Sequence, residues 1–160
     1  MDANPGETAL PILQSAIQRI IPHRYPFLLI DRVLEFEPGR RIAGVKLFSA
    51  NAEELQGHLW PAGAVPTSIL IEMVTQLGAI LVLQRPQMEG KLAVILQVPA
   101  AALWKPVYAG EALRVEAEVV KMGELFGELR GAAYREGERV AEGQMRFAIV
   151  DAQISLMTRG

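Results

Sequence analysis

Thr67-Ser-Ile-Leu-Ile-Glu-Met-Val-Thr-Gln-Leu-Gly-Ala-Ile-Leu-Val-Leu83 carries a single ionisable side chain, Glu72, and lies between Pro66 and Pro86. Proline suits the start of a helix and stops one at its end, so a helix is predicted from Pro66 to Gln84. A helix apolar on every face must be wrapped by other elements or by a partner subunit. The chain after it supplies a wrapping. Lys91–Val98 is a near-continuous apolar run. In Leu113–Val120, Leu113, Val115, Ala117 and Val119 alternate with Arg114, Glu116 and Glu118. Glu124–Arg135 and Arg139–Val150 flank a Glu136-Gly137 turn, and Met145, Phe147 and Ile149 keep the period of two that marks a half-buried strand.

The chain before it adds two strands and a helix. Phe27–Glu37 and Arg40–Ser49 are β-rich and joined by Pro38-Gly39, the residue order of a type II turn. Ala9–Ile21 has apolar residues at helical spacing (Ile12, Leu13, Ile17, Ile20, Ile21) and is ended by Pro22. The expected fold class is α+β, a mostly antiparallel sheet curled around one central helix. One domain is expected over residues 1–160, with 1–8 a loose polar tail and no clear pattern from Asp151 onward.

Composition narrows the function. A net charge of -2 with no basic run argues against a nucleic-acid partner. The chain has no cysteine, which removes disulfides, thiolate nucleophiles and cysteine-held metals. The N-terminus shows no secretory pattern, and the apolar helix is too short and too interrupted by Glu72, Thr75 and Gln76 for a membrane span, so a cytoplasmic protein is expected. Two distant histidines make a zinc site unexpected, no glycine-rich phosphate loop is present, and no cofactor is expected.

Chemistry centres on Glu72 and on His58, fourteen residues upstream in Gln56-Gly-His-Leu-Trp-Pro61. A carboxyl group in apolar surroundings is costly to ionise, so Glu72 is expected to hold a proton near neutrality. A protonated acid beside an imidazole suits addition or removal of water. The plainer readings stay open: His58 as a loop histidine bonded to backbone, and Glu72 as a structural acid paired with an arginine. Gln76, one turn after Glu72, either orients its carboxyl or packs. His23 reads as structural, and Met73, Leu77 and Leu81 as core.

Ile21-Pro-His-Arg-Tyr-Pro-Phe-Leu-Leu-Ile-Asp-Arg-Val33 resembles the N-terminal signature of 3-hydroxyacyl-[acyl-carrier-protein] dehydratases of the FabZ type. The likeness continues through the Glu37-Pro-Gly-Arg40 turn, Gln56-Gly-His58, Glu72 and Gln76, and Lys105-Pro-Val-Tyr-Ala-Gly110, covering roughly residues 12–150. It implies the hot-dog fold, assembly as dimers or trimers of dimers, and reversible dehydration of a 3-hydroxyacyl thioester to the trans-2-enoyl thioester. His58 and Glu72 fall on the family's two catalytic positions. By this resemblance His58 removes the proton next to the thioester carbonyl, and Glu72 of the neighbouring subunit protonates the departing hydroxyl. Backbone amides around Thr67, at the start of the helix, are candidates to support the carbonyl oxygen.

Two stretches depart from the family pattern. Where members read His-Phe-Pro-Gly-x-Pro-Val-Met-Pro-Gly, this chain has His58-Leu-Trp-Pro-Ala-Gly-Ala-Val-Pro-Thr67. Pro66 is kept. Thr67 replaces a glycine that admits close approach and unusual dihedrals, and its hydroxyl is a candidate helix cap. Trp60 adds bulk at the tunnel mouth. Where members carry a charged run before Lys105, this chain has Pro99-Ala-Ala-Ala-Leu-Trp104. That leaves Lys105 and Arg24 as the basic candidates for an acidic carrier protein, and brings coenzyme A thioesters into consideration. The expected substrate-contacting residues are Thr67, Gln76, Trp60 and Pro66. The competing functions are a hot-dog acyl thioesterase and a non-catalytic acyl-binding paralogue.

Overall fold

The computed structural model describes residues 9–51 and 63–153. Its strands are β1 (Ile12–Leu13), β2 (Arg32–Glu37), β3 (Arg41–Leu47), β4 (Lys91–Leu103), β5 (Ala112–Met122), β6 (Phe126–Arg135) and β7 (Glu138–Asp151). The helices are α1 (Gln14–Ile20) and α2 (Thr67–Leu83). The strands form one sheet in the order β1-β2-β3-β5-β6-β7-β4, and every pairing is antiparallel. α2 packs against β3 through β7 and is the central element, as expected from its predominantly apolar character.

The period-two reading of the strands holds. Leu113, Val115 and Ala117 turn inward and are buried, while Arg114 faces out and pairs with Glu35 at 2.8 Å and Glu116 at 2.7 Å. Met145, Phe147 and Ile149 of β7 meet Met73, Leu77 and Leu81 of α2 in one buried cluster. Each fully buried side chain of this size contributes roughly 1.5–3 kcal/mol. Both turns read from sequence are present. Gly39 takes a φ of +70° and Arg40 N–H donates to Glu37 O at 3.0 Å, which closes the type II turn. Glu136 and Gly137 have φ of 48° and 82°, the paired positive dihedrals of a two-residue hairpin turn.

Three boundaries differ from expectation. The first helix starts at Gln14 rather than Ala9, because Ile12 and Leu13 pair with Val33 and Arg32 of β2. β2 starts at Arg32 rather than Phe27. Residues 27–30 lie outside any strand, and Leu29 N–H donates to the Gln76 side chain of α2 instead of to a neighbouring strand. β4 runs on past Val98 to Leu103, through Pro99. Proline is tolerated because β4 is an edge strand and its ladder to β7 is broken between Ile95 and Gln97 and again between Gln97 and Ala100. Although the 91–98 run is apolar, Val94, Leu96 and Val98 are exposed, since nothing among the described residues covers that edge. The expected tail at 1–8 lies outside the described residues.

Candidate active site at the start of the central helix

α2 is fastened at its N-terminus before any chemistry is considered. Val65 N–H donates to Val107 O at 2.7 Å, and Ala64 bridges Tyr108, so the chain enters the helix from a fixed point. Pro66 occupies the N-cap position and Thr67 is the first helical residue. The expected capping role of the Thr67 hydroxyl does not hold: no side chain caps α2, because the cap position belongs to a proline without a hydroxyl. The backbone of Thr67 is helical, with no positive φ, so this position does not need glycine's dihedral freedom. Ile69 and Leu70 both donate to Pro66 O, at 3.0 and 3.2 Å. The N–H groups of Thr67 and Ser68 have no acceptor among the described residues, as the geometry of a helix start requires.

One turn further along, Glu72 sits in a polar notch rather than in wholly apolar surroundings. Gln76 is fully buried, and its amide is engaged on every side that matters. Its Oε1 accepts from Leu29 N–H at 2.8 Å, and its Nε2 donates to Phe27 O at 2.9 Å and to Glu72 Oε1 at 2.9 Å. A backbone N–H can only donate, so Leu29 forces the oxygen of the amide toward itself. The amide nitrogen must then face Glu72. His23 completes the group, with Nε2 3.4 Å from the same Glu72 Oε1 and both side chains 29% exposed. The distance is an electrostatic contact, longer than a formed hydrogen bond.

Of the residues singled out by sequence, the structure brings Glu72 and Gln76 together and puts Pro66 and Thr67 at the start of the same helix. His58 and Trp60 lie at 52–62, outside the described residues. Gln76, expected to contact substrate or to pack, instead has its amide occupied by backbone and by Glu72. The two basic candidates for a carrier protein are both engaged. Arg24 donates to the carbonyls of Gln18, Ile21 and His23, and Lys105 pairs with Glu138. The lysine, and more weakly Arg135, hold the Glu138 carboxyl below the usual carboxylate range.

Sequence reasoning missed His23 as a neighbour of Glu72. The signal was present in the opening motif, but 49 residues of chain separate the two. A surface depression of about 690 Å³ across β3, β5, β6, β7 and β4 is lined by none of these residues. Its arginines are paired, Arg130 with Glu118 and Arg139 with Glu142, so the notch at Glu72 is the better chemical candidate.

Residues 21–144 match the FabA-like domain. The chain belongs to the FabA-like family. That span includes His23, His58, Glu72 and Gln76. The 3-hydroxyacyl-[acyl-carrier-protein] dehydratase FabZ of Symbiobacterium thermophilum is 45% identical over 134 residues, 83% of this chain and 94% of the relative. That of Pelotomaculum thermopropionicum is 42% identical over 133 residues, 83% of this chain and 95% of the relative. Within the FabA-like family, these relatives place the chain with the FabZ-type dehydratases. Among solved structures, the dehydratase heterocomplex ApeI:P from Xenorhabdus doucetiae superposes with a TM-score of 0.74 at 18% identity, covering 94% of this chain and 99% of that one. A hypothetical thioesterase with coenzyme A from Streptococcus pneumoniae gives 0.59 at 13% identity, covering 74% and 84%. These likenesses show the hot-dog fold, which dehydratases and thioesterases share. No helix among the described residues is long and apolar enough to cross a membrane.

Proposed function

We propose that this FabA-like chain performs the reversible dehydration of a 3-hydroxyacyl thioester with His58 as base and Glu72 as acid. His58 takes a proton from the carbon next to the thioester carbonyl. The electron pair forms the α,β double bond as the C–O bond breaks, and Glu72 of the partner subunit gives its proton to the departing hydroxyl, which leaves as water. Negative charge developing on the thioester oxygen falls to the N–H groups of Thr67 and Ser68 at the start of α2, where the helix dipole adds its field. Trp60 and Pro66 border the acyl chain, and Gln76 orients Glu72. The single observation that carries the reading is the fixed amide of Gln76, which aims an N–H at one carboxyl oxygen of Glu72.

Two subunits are needed for this pairing, and β4 supplies a surface for a second copy. Its outer edge has no neighbour among the described strands and exposes Val94, Leu96 and Val98. An open apolar edge of this length invites pairing with another strand. The proposed unit is a cytoplasmic homodimer, which can assemble further into a trimer of dimers. Leu96→Glu is expected to shift it toward monomer by sedimentation. A wild-type chain that sediments as a monomer at all concentrations overturns the two-subunit site.

The activity is tested by hydration of enoyl thioesters, followed through loss of the conjugated enoyl absorbance, with acyl carrier protein and coenzyme A substrates in parallel. His58→Ala and Glu72→Gln are each expected to reduce turnover by about 100-fold or more, the range a positioned acid or base supplies. Unchanged turnover in either variant rejects the assignment. Release of free thiol without an enoyl intermediate points to a thioesterase, and binding without turnover of either kind to an acyl-binding paralogue.

A further inference from the structure

We propose that His23 is a positioning residue that, with Gln76, directs the acidic proton of Glu72 to its outer oxygen. The inference rests on the reading of Glu72 as the acid. The backbone that carries the imidazole is held in place. Pro22 precedes it at the end of α1, and Arg24 ties the His23 carbonyl (2.7 Å) to those of Ile21 (2.9 Å) and Gln18 (2.8 Å). The ring of His23 is therefore delivered to Glu72 by a fastened turn, not by a free loop.

The two ring nitrogens have different surroundings. Nε2 faces Glu72 Oε1, whereas Nδ1 is buried and has no partner among the described residues. A neutral imidazole carries one N–H and one bare nitrogen. A buried N–H without an acceptor is rarer and more costly than an unfilled lone pair, so the proton is assigned to Nε2 and the bare nitrogen to the orphan position. The Nε2–H then lies on the side of the oxygen that already receives the Gln76 amide, 3.4 Å from nitrogen to oxygen.

One formed N–H bond on Oε1, from Gln76, with the His23 N–H within electrostatic reach of the same atom, favours that oxygen as the acceptor and places a proton on the carboxyl at Oε2. The terminal torsion of a glutamate is broad and nearly two-fold, so a single donor leaves the two oxygens free to exchange. Donors arriving from two different elements, the turn after α1 and the next turn of α2, remove that freedom. The proton is presented away from the protein wall toward a bound hydroxyl. Once it has been transferred, the same two donors stabilise the carboxylate left behind.

The test is steady-state hydration of an enoyl thioester by the full chain carrying His23→Leu, His23→Gln or His23→Asn. Leucine removes the donor. Glutamine places an amide N–H where Nε2 stood, and asparagine places its own near Nδ1, short of Glu72. His23→Leu and His23→Asn are expected to lower kcat roughly 10- to 100-fold with KM changed less than about threefold, and His23→Gln to recover to within about fivefold of wild type. Equal activities for the glutamine and asparagine variants overturn the proposal, even if the leucine variant fails to fold. So does a kcat unchanged in all three. Glu72→Gln assayed alongside separates the two layers. If it retains turnover, the reading of Glu72 as the acid falls. If it is inactive while the His23 variants match wild type, only the role of His23 falls.

Discussion

Replacing Gln76 with leucine keeps the volume of the side chain and removes all three of its hydrogen bonds. Leu29 N–H is fully buried and loses its only acceptor among the described residues. A buried donor left unpaired costs about 1–3 kcal/mol. Phe27 O and Glu72 Oε1 are half-buried groups that can turn to water, so they add less. The sum is about 2–4 kcal/mol of lost stability, which for a chain of this size lowers the melting temperature by about 5–15 °C. Thermal and urea unfolding measure it, at one fixed protomer concentration because assembly couples to melting. Amide exchange locates the effect, since the Leu29 N–H is expected to exchange faster while β5 and β6 amides keep their order of protection. A stability loss below about 0.5 kcal/mol, or an unchanged Leu29 exchange rate, refutes the claim that this side chain replaces a strand ladder for residues 27–30.

Two glycines give opposite expectations. At Gly131 in β6 an added Cβ would stand 2.4 Å from Glu116 O and 2.5 Å from Val74 Cγ1, and Gly131→Ala is expected to destabilise by about 2–3 kcal/mol in denaturant titration. At Gly78 in α2 the nearest atom is the Leu129 Cδ1 tip at 2.6 Å, and alanine gains about 1 kcal/mol of helix propensity, so Gly78→Ala is expected to stay within about 1 kcal/mol of wild type. Lys105→Met is expected to raise the Glu138 carboxyl toward its ordinary value, read by NMR titration. Because that carboxyl is depressed in the folded chain, the contribution of the pair is present above the unfolded value and fades as pH falls through the folded one. Wild-type stability at neutral pH that survives unchanged to pH values below the depressed carboxyl, relative to the variant, would sink this assignment.

The central helix was legible because a predominantly apolar segment with one ionisable residue lies between Pro66 and Pro86. β5 was legible because Leu113, Val115, Ala117 and Val119 alternate with charged residues over 114–118, and β7 because Met145, Phe147 and Ile149 keep a period of two. What escaped depended on partners distant in the chain. Ile12 and Leu13 read as helix until β2 offers them a ladder, and Phe27–Ile30 read as strand until the Gln76 amide takes the Leu29 N–H. The apolar character of the 91–98 run does not reveal its place in the sheet, which the strand order puts at the rim. In the site, Glu72 and Gln76 were visible as an i,i+4 pair within one helix. His23 was not, because no spacing rule links a residue in one turn to a helix 49 positions away. The contact arises only when the segment after α1 is laid against α2.

The proline in β4 limits what that rim can become. Beyond Ile95 the ladder to β7 is offset twice, and the nitrogen of residue 99 has no hydrogen to offer. A strand arriving from another molecule can therefore dock along part of the border in one register and then runs out of matching donors. Such a flank is expected to accept a single neighbour rather than to template a growing fibril.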